Sequence, residues 1–125
     1  MKKTFKNEEA LDCVILASKL DEKGKLGYAI AKNTRKLKEE IKEYIAKRDE
    51  LLKKYGTPVD GRKGDYTIDR KNRTLYDAEL EEYENIEFEV ELMQVSESDF
   101  VNSTLTSRQM EMLLWMIEEL EKKGE

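Results

Sequence analysis

The sequence contains no histidine, one cysteine (Cys13), one proline (Pro58) and one tryptophan (Trp115) in 125 residues. Without histidine the chain lacks the side chain that most often acts as a general base near neutral pH. A single cysteine excludes an internal disulfide, and Cys13 with no histidine to join it makes no zinc site. No run approaches the roughly 18 apolar residues of a membrane span. The start, MKKTFKNEEALDCVILAS, mimics a signal peptide only briefly, because Glu8, Glu9 and Asp12 interrupt any apolar core. Phosphate-cradling glycine loops, nucleophile elbows, zinc spacings and dinucleotide fingerprints are missing as well. No cofactor is therefore expected.

What the chain has in abundance is charge. Charged residues make up 41% and hydrophobic ones 38%, enough apolar material for one modest core. The length fits a single domain over residues 1–125. The net charge of −5 hides an asymmetry: residues 1–73 carry 20 basic and 13 acidic side chains, residues 74–125 carry 3 and 15. The two halves can fold against each other and cancel their fields, or one half can face a partner. The acidic total makes nucleic acid an unfavoured partner, since non-specific affinity for it comes from neutralising phosphates.

Residues Lys2–Lys6 can pair as a short edge strand. Asn7 reads as the N-cap of a helix over 8–22, with Glu8 and Glu9 well placed in its first turn and Gly24 as its stop. A long helix over about 26–55 follows. Its seam is Ile30, Thr34, Leu37, Ile41, Tyr44, Arg48, Leu51 and Tyr55, the alternating four–three spacing of a coiled-coil stripe. Gly56 and Pro58 end it. Residues 57–73 are turn-rich and read as a flexible excursion or a hairpin arm, with Tyr66 to Ile68 as a short strand. Thr74 to Asn85 has helical spacing at Tyr76, Leu80 and Tyr83. Ile86 to Leu92 alternates strictly, so Ile86, Phe88, Val90 and Leu92 share one strand face and three glutamates the other. A last helix over 107–122 is announced by the capping box of Thr106 and Gln109 and carries an apolar stripe of Met110, Leu113, Leu114, Ile117 and Leu120.

Three groups could carry function. Glu87, Glu89 and Glu91 stand about 6.6 Å apart on one strand face. They read first as a solvated face guarding a sheet edge, then as a site for a hard cation or a general acid–base pair. Arg62, Lys63, Arg70, Lys71 and Arg73 cluster around Tyr66. They read as a solvated loop, or as a grip on single-stranded nucleic acid or an acidic protein patch. Trp115 with Met110, Met112 and Met116 reads as core, or as a groove for a partner. Cys13, in an apolar helix, reads as a buried inert thiol.

Several pieces together resemble a small, uncharacterised family of proteins encoded by phages and prophages of Gram-positive bacteria. They are the short start ending in Lys6-Asn7, the helix Ala10–Leu20, the segment LKEEIKEYIAKRDELLKKYG (37–56), the acidic helix leading into a Glu-rich strand, and LTSRQMEMLLWMIEE (105–119). The stretch 57–73 is not matched. The resemblance implies a phage context and a non-enzymatic accessory role inside the cell, and it carries over no catalytic residues.

The expected fold is α+β and mainly helical. The long helix packs against the N- and C-terminal helices, and a small antiparallel sheet around 86–92 caps one end. The expected function is a phage or prophage accessory protein, not an enzyme, acting by protein–protein binding or assembly. Its partner is another phage or host protein in the host cytoplasm, with virion association left open and no membrane involved. A homo-oligomer is also expected on the apolar surface of the stripe and the Met/Trp face. One rival is an inhibitor of a host enzyme or defence complex whose acidic 77–99 face mimics nucleic acid. A second is a hydrolase or nuclease using carboxylates and a divalent ion.

Overall fold

The computed structural model describes residues 1–117. Strand β1 (Lys2–Lys6) runs directly into helix α1 (Asn7–Ala17), and helix α2 (Gly24–Tyr55) is the long rod. A hairpin of β2 (Thr57–Pro58) and β3 (Tyr66–Thr67) leads to helix α3 (Arg70–Glu84) and strand β4 (Glu87–Glu91). Two short helices follow, α4 (Glu97–Val101) and α5 (Ser107–Leu113), and then a 3₁₀ turn over Leu114–Met116. The fold is the expected mainly helical α+β arrangement.

α2 is unbroken over 32 residues, roughly 48 Å at 1.5 Å per residue. The seam explains why. Ile30, Leu37, Ile41, Tyr44 and Leu51 are all buried, and α1 and α3 pack along them. The half-buried Thr34 turns its hydroxyl back onto Ile30 O at 2.6 Å, so an inward polar residue is satisfied within the helix. Gly56 closes the rod because nothing larger fits: a Cβ there would stand 2.6 Å from Leu52 O.

The apolar side chains form two clusters. The first joins Phe5, Ala10 and Val14 to Leu37, Ile41, Tyr44, Leu51, Tyr76, Leu80, Val90 and Leu92. The second gathers Leu26, Ala29, Ile30, Val95, Phe100, Leu105, Leu113 and Met116 around the N-terminal end of α2. Trp115 packs against both.

Several boundaries differ from expectation, each for a local reason. α1 stops at Ala17 and not near residue 22. Ser18 Oγ donates to Ile15 O at 2.6 Å, and the Lys19 and Leu20 amides bond back three residues, tightening the last turn before the chain reverses. Asn7 is not the N-cap; Lys6 is. Asn7 lies buried in the first turn, its Nδ2 donating to Tyr83 O at 2.9 Å. Gly24, at φ +67°, opens α2 and does not close α1. α3 starts at Arg70 and not at Thr74, because the Asp69 carboxylate accepts from Asn72 N at 2.8 Å and caps it there. Arg70, Lys71 and Arg73 therefore sit on a helix and not in the loop. α4, which the sequence did not announce, is capped by Ser96. The last helix ends at Leu113 and not at 122. Its capping box is as expected, but Ile117 is extended and lies beside Val95, whose N–H donates to Met116 O at 2.8 Å. Leu120, with the rest of that expected helix, lies outside the described residues.

Candidate functional surfaces

The acidic strand face is built by the β1–β4 ladder. The register sets Lys2 opposite Glu91, Thr4 opposite Glu89 and Lys6 opposite Glu87. Met1 and Leu92 exchange both backbone hydrogen bonds, at 3.0 and 2.7 Å, and Asn7 N donates to Ile86 O at 3.0 Å. Bonded and non-bonded pairs alternate in an antiparallel ladder, so the three glutamates occupy the non-bonded positions, where facing side chains come closest. Lys2 Nζ lies 4.0 Å from Glu89, and the Met1 ammonium lies 2.6 Å from Glu91 and holds that carboxyl below its ordinary range. The lysines of β1 thus answer the glutamates of β4. Among the described residues no group of three or more His, Cys, Asp or Glu is placed to hold a metal ion.

The opposite face of the ladder enters the first cluster. Phe5 and Phe88 stack with centroids 6.1 Å apart, and Trp115 meets Phe5 edge-on at 5.5 Å. Met116 is 1% exposed. Met116 is therefore packed inside the molecule, Trp115 is partly buried against both clusters, and Met112 is exposed. Cys13 lies beside Trp115 in partial burial, and burial followed by the neighbouring Asp12 pushes its thiol up, away from the reactive thiolate.

The basic group gathers at the end of the α2–α3 pair. Arg62 and Lys63 occupy the tip of the hairpin, and Arg70, Lys71 and Arg73 the first turn of α3. The tip is ordered by its own backbone: Val59 N donates to Asp65 O at 3.0 Å, and Arg62 N and Asp65 N close successive turns at 3.2 Å. Gly61 and Gly64 adopt φ +77° and +88°, which those turns require. Arg73 pairs with Asp77 at 3.2 Å, and Lys54 with Glu79 at 3.0 Å. The hydrogen bond from Tyr55, then that from Lys54, holds the Glu79 carboxyl below its ordinary range. Arg62, Lys63, Arg70 and Lys71 are exposed and form no ion pair among the described residues.

Sequence reasoning missed Asn33. It is 2% exposed on α2, its Oδ1 accepting from Met93 N at 2.8 Å and its Nδ2 donating to Met93 O at 3.0 Å. Nothing in Lys32-Asn33-Thr34 marks it, since a polar residue beside a seam position normally faces water. Lys36 Nζ adds a bond to Glu91 O at 2.9 Å, so α2 grips the end of β4 through two side chains.

A cleft of about 650 Å³ lies between α1 and α2. Val14, Ala17 and Ile30 line it, with Asp21, Arg35 and Lys38 among its charged residues. Its hydroxyls, Ser18 and Thr34, are both committed to helix carbonyls at 2.6 Å, and the chain has no histidine to activate them. No helix among the described residues is long and apolar enough to cross a membrane. Comparison with family models, curated proteins and solved structures finds no match for this chain.

Proposed function

We propose that this chain is a non-catalytic protein-binding or assembly component of a phage or prophage, working in the host cytoplasm. The observation that carries the reading is the hairpin arm. Residues 57–67 contribute nothing to either apolar cluster. Their backbone is nonetheless set by three turn hydrogen bonds and two left-handed glycines. A surface loop that is shaped but not needed for packing is the usual place for recognition. Arg62 and Lys63 at its tip suit an acidic partner patch, where charge sets register and association rate. The three aspartates among these cations, Asp60, Asp65 and Asp69, argue for a protein partner over a phosphate backbone. The family resemblance supports the phage setting.

Two observations weigh against the rivals. On β4, Glu91 pairs with the Met1 ammonium and Glu89 lies 4.0 Å from Lys2, so part of the acidic face is compensated, and among the described residues no group of three acids is placed to hold a cation. The hydroxyls of the α1–α2 cleft, Ser18 and Thr34, are spent on backbone carbonyls. The test is affinity capture from infected or prophage-induced cells with the wild-type chain and with R62E/K63E. A partner in fixed stoichiometry, lost with the charge-reversed arm and weakened by salt, is expected. Equal recovery by both chains, or turnover of a substrate by the purified protein, overturns the reading.

A further inference from the structure

The outward face of α3 is self-complementary. Opposite the buried Tyr76 and Leu80, the positions Lys71, Leu75, Ala78 and Glu82 fall along one stripe at four–three–four spacing. All four are exposed, and Leu75 keeps 47% of its surface in contact with water. Lys71 and Glu82 make no ion pair among the described residues. They stand eleven residues apart on one helix, about 16 Å, so they cannot reach each other within a chain.

In an antiparallel pair of identical helices, residues meet when their numbers add to a constant. Placing Lys71 opposite the Glu82 of a second copy also places Leu75 opposite Ala78. The two-fold axis repeats both contacts, so one register satisfies the whole stripe twice. The small Ala78 leaves room for Leu75 and allows the axes to approach closely. The charge of α3 is divided in the same sense: Arg70, Lys71 and Arg73 lie in its first turn and Glu81, Glu82 and Glu84 in its last. Antiparallel pairing sets unlike ends and opposed helix dipoles side by side.

We infer that α3 is the contact face of an antiparallel, two-fold symmetric homodimer. The occupant is a second copy because the stripe complements itself in both charge and size. One helix pair buries less than a standard interface of about 1,600 Å², so the dimer is weak and forms at high micromolar concentration. This contact is separate from the hairpin-arm reading above, and its variants leave Arg62 and Lys63 intact.

The test is sedimentation of the full chain across a concentration series in low salt, with circular dichroism to check folding. The wild type is expected to dimerise, less so in high salt. K71E and E82K each turn two attractions into two repulsions, and each is expected to weaken the dimer about tenfold or more. The double variant K71E/E82K restores opposite charges only across the two-fold axis and is expected to regain the dimer. L75D is expected to abolish it while the chain stays folded, since the position faces water. A wild type that remains monomeric at millimolar concentration overturns the inference. So does a dimer indifferent to both single reversals, or a double variant that stays as weak as the singles.

Discussion

Asn33 shows what a single polar residue does when it replaces packing with pairing. Its amide spans both backbone groups of Met93 and fixes where the chain leaves β4 on its way to the second cluster. Asn33→Ala strands a partly buried N–H and C=O together, and the expected loss is about 1–3 kcal/mol, read as a lower urea midpoint at unchanged slope. Asn33→Asp keeps the acceptor but turns a carboxylate oxygen toward Met93 O, so it is expected to be no better than alanine. Glu84 works in the opposite direction. Partial burial, then the Glu8 carboxylate at the start of α1, raises its pKa above the ordinary value. The folded state therefore binds the Glu84 proton more tightly than the unfolded chain does. This group's contribution is fully present below the unfolded pKa and is lost as pH rises through the folded one. At neutral pH the carboxylate is a small liability. Glu84→Gln is expected to raise the melting temperature slightly at pH 7, by no more than about 0.5 kcal/mol in stability, and the gain is expected to vanish near pH 4. A gain that persists unchanged at low pH would contradict the Glu8–Glu84 repulsion.

At the scale of elements, what could be read from the sequence depended on whether the signal was periodic or local. The α2 seam repeats over four heptads, and Ile30, Leu37, Ile41, Tyr44 and Leu51 are buried where the spacing selects them, while Thr34, Arg48 and Tyr55 are half-buried and Leu26, Ala29 and Asn33 are buried beside it. The β4 alternation likewise puts Val90 and Leu92 inside and the glutamates outside, but the strand spans only Glu87–Glu91, and Ile86, expected on the inner face, is 51% exposed. The Thr106–Gln109 capping box lies where its motif places it. Helix ends fared worse, because they are decided by contacts far along the chain. α1 ends at Ala17, and in the connection that follows the Glu22 carboxylate accepts from Thr104 N at 2.8 Å, 82 residues away. α5 ends early because Val95 takes up the next stretch as a neighbour. Of the candidate site, the glutamate face and the basic cluster were legible as groups. Their partners were not: only the ladder register reveals that the lysines of β1 answer β4. Gly27 shows how far such context can reverse a local rule. In a helix interior, glycine to alanine normally gains about 1 kcal/mol. Here an added Cβ would lie 2.3 Å from the backbone oxygen of Glu22, a residue whose side chain is held by Thr104. Gly27→Ala is expected to lose about 1–3 kcal/mol, and a thermal melt at or above the wild-type temperature would show that the connection can move aside.

Among the described residues, Trp115 is the side chain that packs on both apolar clusters. Its ring meets Phe5 of β1 edge-on at 5.5 Å, while the residue that follows it, Met116, is at the heart of the second cluster. Its indole Nε1 is buried without a hydrogen-bond partner; the thiol of Cys13 lies beside the ring but is only a weak acceptor. Tryptophan is therefore held here for area, and at the cost of an orphaned donor. Two variants separate these terms. Trp115→Phe gives up part of the ring but also the unpaired N–H, so it is expected to stay within about 1.5 kcal/mol of the wild type. Trp115→Ala leaves a cavity at the junction and is expected to lose about 3–5 kcal/mol, a large part of the 5–15 kcal/mol that holds an ordinary domain together. The more telling outcome is cooperativity. With the junction intact, amides around Ile41 in the first cluster and Leu113 in the second are expected to exchange with the same global free energy. In Trp115→Ala, Leu113 is expected to exchange at a lower free energy than Ile41, because the second cluster is smaller, is built largely from short helices and has lost its main tie to the β1–β4 ladder. Equal protection of both sites in that variant would mean that α2, running through both clusters, couples them by itself.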